Sequence, residues 1–200
     1  TTEAIGDGQH ANNPWLQEMP DPLSKATWDN YVCMAPSDLL TLTGVGNFRE
    51  LYIGEQSPAH EVKVTVNGID LVLPAVPSPG QAAGSVSIAL GYGRGANGER
   101  VGRAACMRDG DGNATPVGKS AYPLTRYADG SVRYATSGTV ELTGGKYAMA
   151  LAQTQMTAMD RHSVVKETNF AVWAEHKPRE TYNEVHSLAV HADVNADHKV

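Results

Sequence analysis

Residues 62–73 constrain this chain more than any other stretch. Val62-Lys63-Val64-Thr65-Val66 alternates apolar and polar side chains, Asn67-Gly68 interrupts, and Ile69-Asp70-Leu71-Val72-Leu73 resumes. Alternation with a period of two belongs to a strand, whose successive side chains point to opposite faces. Asn-Gly is the favoured two-residue hairpin loop, because both central positions need positive φ. Folding about that loop sets Val66 against Ile69, Val64 against Leu71 and Val62 against Leu73, all on one face. An isolated hairpin is marginal in water, so this apolar face commits the chain to a larger sheet packed on a core.

The composition agrees. Hydrophobic residues make up 41% of the 200 and charged residues 19%, enough for one domain with a core and unlike a disordered acidic tail. Twenty glycines and 11 prolines favour many turns over long helices. Val86, Ile88 and Leu90 alternate as a further strand, and Val140 and Leu142 before Gly144-Gly145, with Tyr147, Met149 and Leu151 after it, suggest a second hairpin. Pro36-Ser37-Asp38-Leu39-Leu40 reads as a short helix start, and Phe170, Val172 and Trp173 fall near helical spacing behind a Thr168 cap. Residues 1–13 read as a polar tail. Pro14, Pro20 and Pro22 imply an extended segment whose Trp15, Leu16, Met19, Leu23 and Trp28 need cover. The expected class is mainly β, a closed or nearly closed barrel over 29–168. An extended linker or interaction segment (1–28) precedes it, and a short helix with a polar C-terminal segment (169–200) follows.

Several functions are excluded by charge and spacing. A formal charge of −6 opposes nucleic-acid binding through a basic face. No apolar run reaches the roughly 18 residues of a membrane span. Cys33 and Cys106 are too few for an iron–sulfur cluster or a cysteine-only zinc site, and they read as two free thiols. Asp109-Gly110-Asp111-Gly112-Asn113 begins like a calcium loop, but Ala114 and Ser120 stand where that loop wants Gly and Glu. Asp193 to Asp197 repeats the near miss. Gly118-Lys119-Ser120 ends like a phosphate-binding loop without the Gly that Asn113 replaces. The seven histidines lack zinc-ligand spacing, and Asp160-Arg161-His162-Ser163 has triad residue types without a nucleophile elbow. We therefore expect no catalytic residue and no metal ligand.

One stretch invites a ligand. Gly80, Gln81 and Gly84 precede the strand at 85–90, and Gly91, Tyr92, Gly93 and Arg94 follow it. Glycines let backbone amides approach a ligand closely, and an arginine can meet a phosphate. The competing reading is that glycines turn tight barrel corners.

Longer blocks carry a resemblance. Residues 13–30, from Asn13-Pro14-Trp15 through Trp28-Asp29-Asn30, resemble a segment of the large iron–sulfur subunit of bacterial alternative complex III, a quinol-oxidising relative of the molybdopterin oxidoreductases. Val64-Thr65-Val66-Asn67-Gly68, Pro79-Gly80-Gln81-Ala82, Gly91-Tyr92-Gly93-Arg94, Ala121-Tyr122-Pro123-Leu124, Leu151-Ala152-Gln153-Thr154-Gln155 and Val165-Lys166-Glu167-Thr168 continue it in order. The blocks span most of 13–168.

The resemblance implies the end of that subunit's molybdopterin-oxidoreductase-like half, a double-psi β-barrel of the dinucleotide-binding type acting as a non-catalytic scaffold. It implies no cofactor in this chain, iron–sulfur clusters elsewhere in the parent subunit, and partners that include membrane subunits and a multihaem cytochrome. The place implied is the periplasmic face of the inner membrane, peripheral, without a span of its own. Thr1 in place of Met, with no leader pattern behind it, suggests a piece cut from a longer protein. Two departures stand out. Met156 to Arg161 lacks the family's paired histidines, and Asp197 follows Asp193-Val194-Asn195-Ala196 where the first cluster-binding cysteine belongs. Two alternatives remain open. One is a working molybdopterin dinucleotide-binding domain, with Gly80, Gln81, Gly84, Gly91, Tyr92, Gly93 and Arg94 as ligand contacts. The other is a secreted binding module.

Overall fold

The computed structural model describes residues 2–54, 57–95, 100–108, 110–134, 136–153 and 170–176. Along the chain lie α1 (Pro14–Glu18), β1 (Val32–Met34), α2 (Pro36–Thr43), β2 (Ala59–Val66), β3 (Ile69–Pro77) and β4 (Val86–Ile88). They are followed by β5 (Cys106–Arg108), β6 (Ala114–Pro116), β7 (Arg126–Ala128), β8 (Ser131–Arg133), β9 (Thr139–Tyr147) and α3 (Phe170–His176). The fold is mainly β with few helices. Two compact units divide at residues 154 and 155. The first holds every described strand, and α3, with Phe170 and Trp173 stacked at 6.0 Å, is the described part of the second.

A five-stranded sheet in the order β4-β1-β3-β2-β9 organises the first unit. The hairpin forms in the expected register, with Val62 opposite Leu73, Val64 opposite Leu71 and Val66 opposite Ile69. Asn67 and Gly68 take φ of 51° and 78°, the conformation that their loop demands. β1 runs parallel to β3 and antiparallel to β4, so the sheet is mixed. Val62, Val64, Val66, Leu73, Val32 and Met34 form the main core under Leu39 of α2. A smaller cluster of Ala26, Ala59, Val76 and Met149 gathers Tyr31, Tyr147 and Leu151.

The structure corrects three expectations. Gly144-Gly145 turns no hairpin, because β9 pairs along its length with β2. Between Leu142↔Val62 and Lys146↔His60 the register shifts, and the glycines sit in that bulge, Gly144 at φ 82°. The Thr143 hydroxyl donates to the Glu61 carbonyl at 3.2 Å across it. Pro14 does not extend the chain but opens α1, with the Asn13 side chain accepting from the Trp15 and Leu16 amides as its cap. Residues 2–13 are no loose tail: Ile5 is fully buried, Ala4 and Ala11 nearly so. Beyond β4 the chain also forms two short hairpins, β5–β6 and β7–β8. The second turns on Asp129-Gly130 at φ of 53° and 75°. Asp109, the stretch from Met156 to Thr168 with its Asp160-Arg161-His162-Ser163, and the segment beyond residue 176 with Asp193 to Asp197 lie outside the described residues. Both cysteines are free and half-buried, as expected.

No atom lies within 4 Å of where a Cβ on Gly68 would point, so a side chain there is penalised by backbone conformation alone. Gly68→Val should therefore lower stability by about 1–3 kcal/mol, read as a lower urea midpoint with an unchanged slope.

Candidate functional site

Segment 25–30 positions everything around it. The Trp28 amide donates to the Gln17 carbonyl, Thr27 to that of Ala150, and Ala152 back to that of Lys25. Asn30, with no exposed surface, donates through its side-chain amide to the carbonyls of Ala89 (3.0 Å) and Lys119 (2.8 Å). Its Oδ1 accepts from the Lys119 amide at 2.9 Å. Gly118 fits beside it only as glycine, since a Cβ would lie 2.8 Å from that oxygen. Asp29 accepts from the Tyr147 hydroxyl at 2.9 Å and from the Gly118 amide. Burial raises the Asp29 carboxyl above its usual range despite these two donors. Burial and the Asp29 charge push Tyr147 up to about 12.

The ligand-suggesting residues separate into two groups. Gly80, Gln81 and Gly84 lie in the loop before β4, where the Gln81 side chain donates to the Ser85 hydroxyl and the Gly84 amide to Asp38. Gly84 lines a groove of about 530 Å³ walled by Val64, Val66, Val86, Ile88 and Val140, with Ser85 and Ser87 among its hydroxyls. Gly91, Tyr92, Gly93 and Arg94 lie beyond the other end of β4. A Cβ on Gly91 would stand 2.6–2.7 Å from backbone atoms of Asp7 and Gly8, and one on Gly93 equally close to Lys119. Tyr92 bonds with the Thr2 side chain, and burial raises its hydroxyl. These glycines serve the close approach of the chain's own backbone.

Gly93 and Arg94 also border an open cleft of about 750 Å³ with Arg100, Val101, Ser120 and Tyr122. Asn12 braces one wall, donating to the Arg100 carbonyl at 2.9 Å and accepting from the Gly102 amide at 2.6 Å. The Tyr122 hydroxyl donates to the Asp7 carbonyl at 2.6 Å, which ties the other wall to the first residues. Sequence reasoning missed Asn12, Asn30 and Arg100, and it set Ser120 aside with the Gly118-Lys119-Ser120 near miss. The partners of Asn12 and Asn30 lie 59 to 90 positions away, and no local pattern announces such pairings. Among the described residues no three His, Cys, Asp or Glu side chains gather as a metal site, and no helix is long and apolar enough to cross a membrane. No family model matches the chain, and no curated protein matches it.

Two outcomes follow from this geometry. Gly91 (φ 93°) and Gly84 (φ 73°) share a backbone conformation that disfavours side chains, yet only Gly91 lacks space. Gly91→Ala should cost about 2–5 kcal/mol, strain plus overpacking, against about 1 kcal/mol for Gly84→Ala. Chemical denaturation of both variants measures the gap, and equal losses would refute the close-packing account. The second outcome concerns pH. A carboxyl whose folded pKa is raised stabilises most below its unfolded value, 3.8, and that stability is lost as pH rises through the folded pKa. Asp29→Asn removes this titration, so the variant should gain on the wild type as pH climbs from 4 toward neutrality. Urea midpoints at several pH values give the slope.

Proposed function

We propose that this chain is a non-catalytic, molybdopterin-oxidoreductase-like scaffold domain of a periplasm-facing, quinol-oxidising respiratory complex of the alternative complex III kind. The mixed sheet, with β1 parallel to β3 between antiparallel neighbours, supports a barrel of double-psi type. The observation that carries the reading is at Gly91 and Gly93. In a dinucleotide-binding domain such glycines would admit a ligand, whereas here residues 7–8 and 119–120 occupy the space. A framework of this kind holds partners through its outer surface. Trp15 and Leu23, 83% and 87% exposed, offer large apolar side chains of the sort that a neighbouring subunit covers. The iron–sulfur clusters and haems of such a complex belong to its other parts.

Arg94 and Arg100 favour the second reading, a dinucleotide-binding domain of an active molybdenum enzyme, since a cationic cleft suits a pyrophosphate. Metal and pterin analysis of the complex purified through this chain separates the two. The scaffold reading expects haem and iron to co-purify without stoichiometric molybdenum or pterin, and Trp15→Ser with Leu23→Ser to reduce haem recovery while the chain stays folded. Molybdenum and pterin at one per chain would establish the other reading.

A further inference from the structure

Between α1 and the 25–30 junction lies a cavity of about 10 Å³, room for one water-sized occupant. Gln17, Asp21, Asp29, Tyr31 and Tyr92 are among its walls, and no described lysine, arginine or histidine lines it. Gln17 is only 3% exposed. Its amide nitrogen donates to the Ala11 carbonyl at 3.1 Å, and because a carbonyl only accepts, the amide oxygen is the end left over. That buried Oε1 has no hydrogen-bond partner among the described residues.

Other polar groups of these walls are acceptors as well. Asp29 is buried, and no described Lys, Arg or His nitrogen lies within 4.0 Å of its carboxylate. It receives Tyr147 and Gly118, two donors for about four lone-pair sites. Ser24 gives its hydroxyl proton to Asp21 at 3.1 Å, so the Tyr31 hydroxyl, 2.5 Å from Ser24, donates to Ser24 and keeps only lone pairs. A buried carboxylate without a counter-charge is costly, and so is an amide oxygen without a donor. One water has two protons to give and no charge, whereas a cation answers all these acceptors at once. Calcium and magnesium call for more carboxylates or for waters of their own, and among the described residues no three Asp, Glu, His or Cys side chains gather to hold them.

We infer that this cavity binds one monovalent cation of about the size of water, potassium or ammonium, held by the Gln17 amide oxygen and the Asp29 carboxylate, with Asp21 and Tyr31 as further oxygen ligands. The ion joins Gln17 of α1 to Asp29 of the junction. The site is independent of the scaffold reading, which rests on Gly91 and Gly93.

Thermal midpoints of the full chain in potassium, ammonium, sodium and tetramethylammonium chloride, at one pH and equal ionic strength, test the assignment. Potassium or ammonium should raise the midpoint by about 2–4 °C over tetramethylammonium and saturate with concentration, as a ligand of the native state does. Sodium should raise it by less. Gln17→Met and Asp29→Asn should each lose at least about three-quarters of that rise. Gly68→Val, outside the cavity walls, should keep the full rise on a lower midpoint, which separates a lost site from lost stability. Asp29→Asn preserves the size of the side chain and carries the test should Gln17→Met fail to fold. Equal midpoints in all four salts mean that water alone fills the cavity, and they overturn the inference. So does a rise with sodium at least as large as with potassium and ammonium, or a full rise retained by Asp29→Asn.

Discussion

Asn30 has no exposed surface, and its side chain completes three hydrogen bonds to backbone groups of Ala89 and Lys119. Those groups follow β4 and precede Ser120, in stretches of chain that belong to no common sheet. An apolar residue at position 30 would take the partner from two carbonyls and an amide that are part-buried, at up to roughly 1–3 kcal/mol each. The amide therefore does for the loop-rich half of the first unit what the valine face does for the sheet. Its neighbour Asp29 extends the same junction to Tyr147 at the end of β9.

Because a polar clasp rather than a cluster of side chains joins these loops, their backbones come very close. Gly91 meets Gly8, Gly93 meets Lys119, Gly95 meets Gly102, and Gly118 meets Asn30 itself. Each contact uses the missing Cβ, so Gly91 and Gly93, which attract attention as part of a ligand loop, are packing elements, whereas Gly80 and Gly84 face open space. This weighs for a scaffold. A surface that closes on its own chain cannot also admit a dinucleotide along the same glycines.

Elements with a repeating pattern were legible in the sequence, and elements defined by distant partners were not. The 62–73 hairpin was readable to the register because alternation and an Asn-Gly loop specify the same pairing. Gly144-Gly145 misled because a glycine pair marks a bulge as readily as a turn. The choice between them was made by β2, eight residues long and free along one edge to pair with β9. Two missed features carried local signals: Asn13 before Pro14 is a cap before a first-turn proline, and Asp129-Gly130 is a hairpin loop. For the work of Asn12 and Asn30 there was no such signal, since each depends on chain many tens of residues away.

The junction at 25–30 is over-determined. Lys25 and Trp28 hold φ of 64° and 66°, a conformation that costs a non-glycine residue roughly 1–3 kcal/mol. They keep it because hydrogen bonds fix the backbone on both sides, to Gln17 in α1 and to Ala150 and Ala152 after β9. From there the constraint passes outward. The buried Gln17 side chain donates to the Ala11 carbonyl at 3.1 Å, and the next residue, Asn12, grips Arg100 and Gly102. The exposed Trp15 stands on the same short helix as Gln17. The exposed Trp15 and one wall of the arginine cleft are thus tied by hydrogen bonds to the same junction. The positive φ at Lys25 and Trp28 is the cost of that arrangement, and the hydrogen bonds on either side offset it.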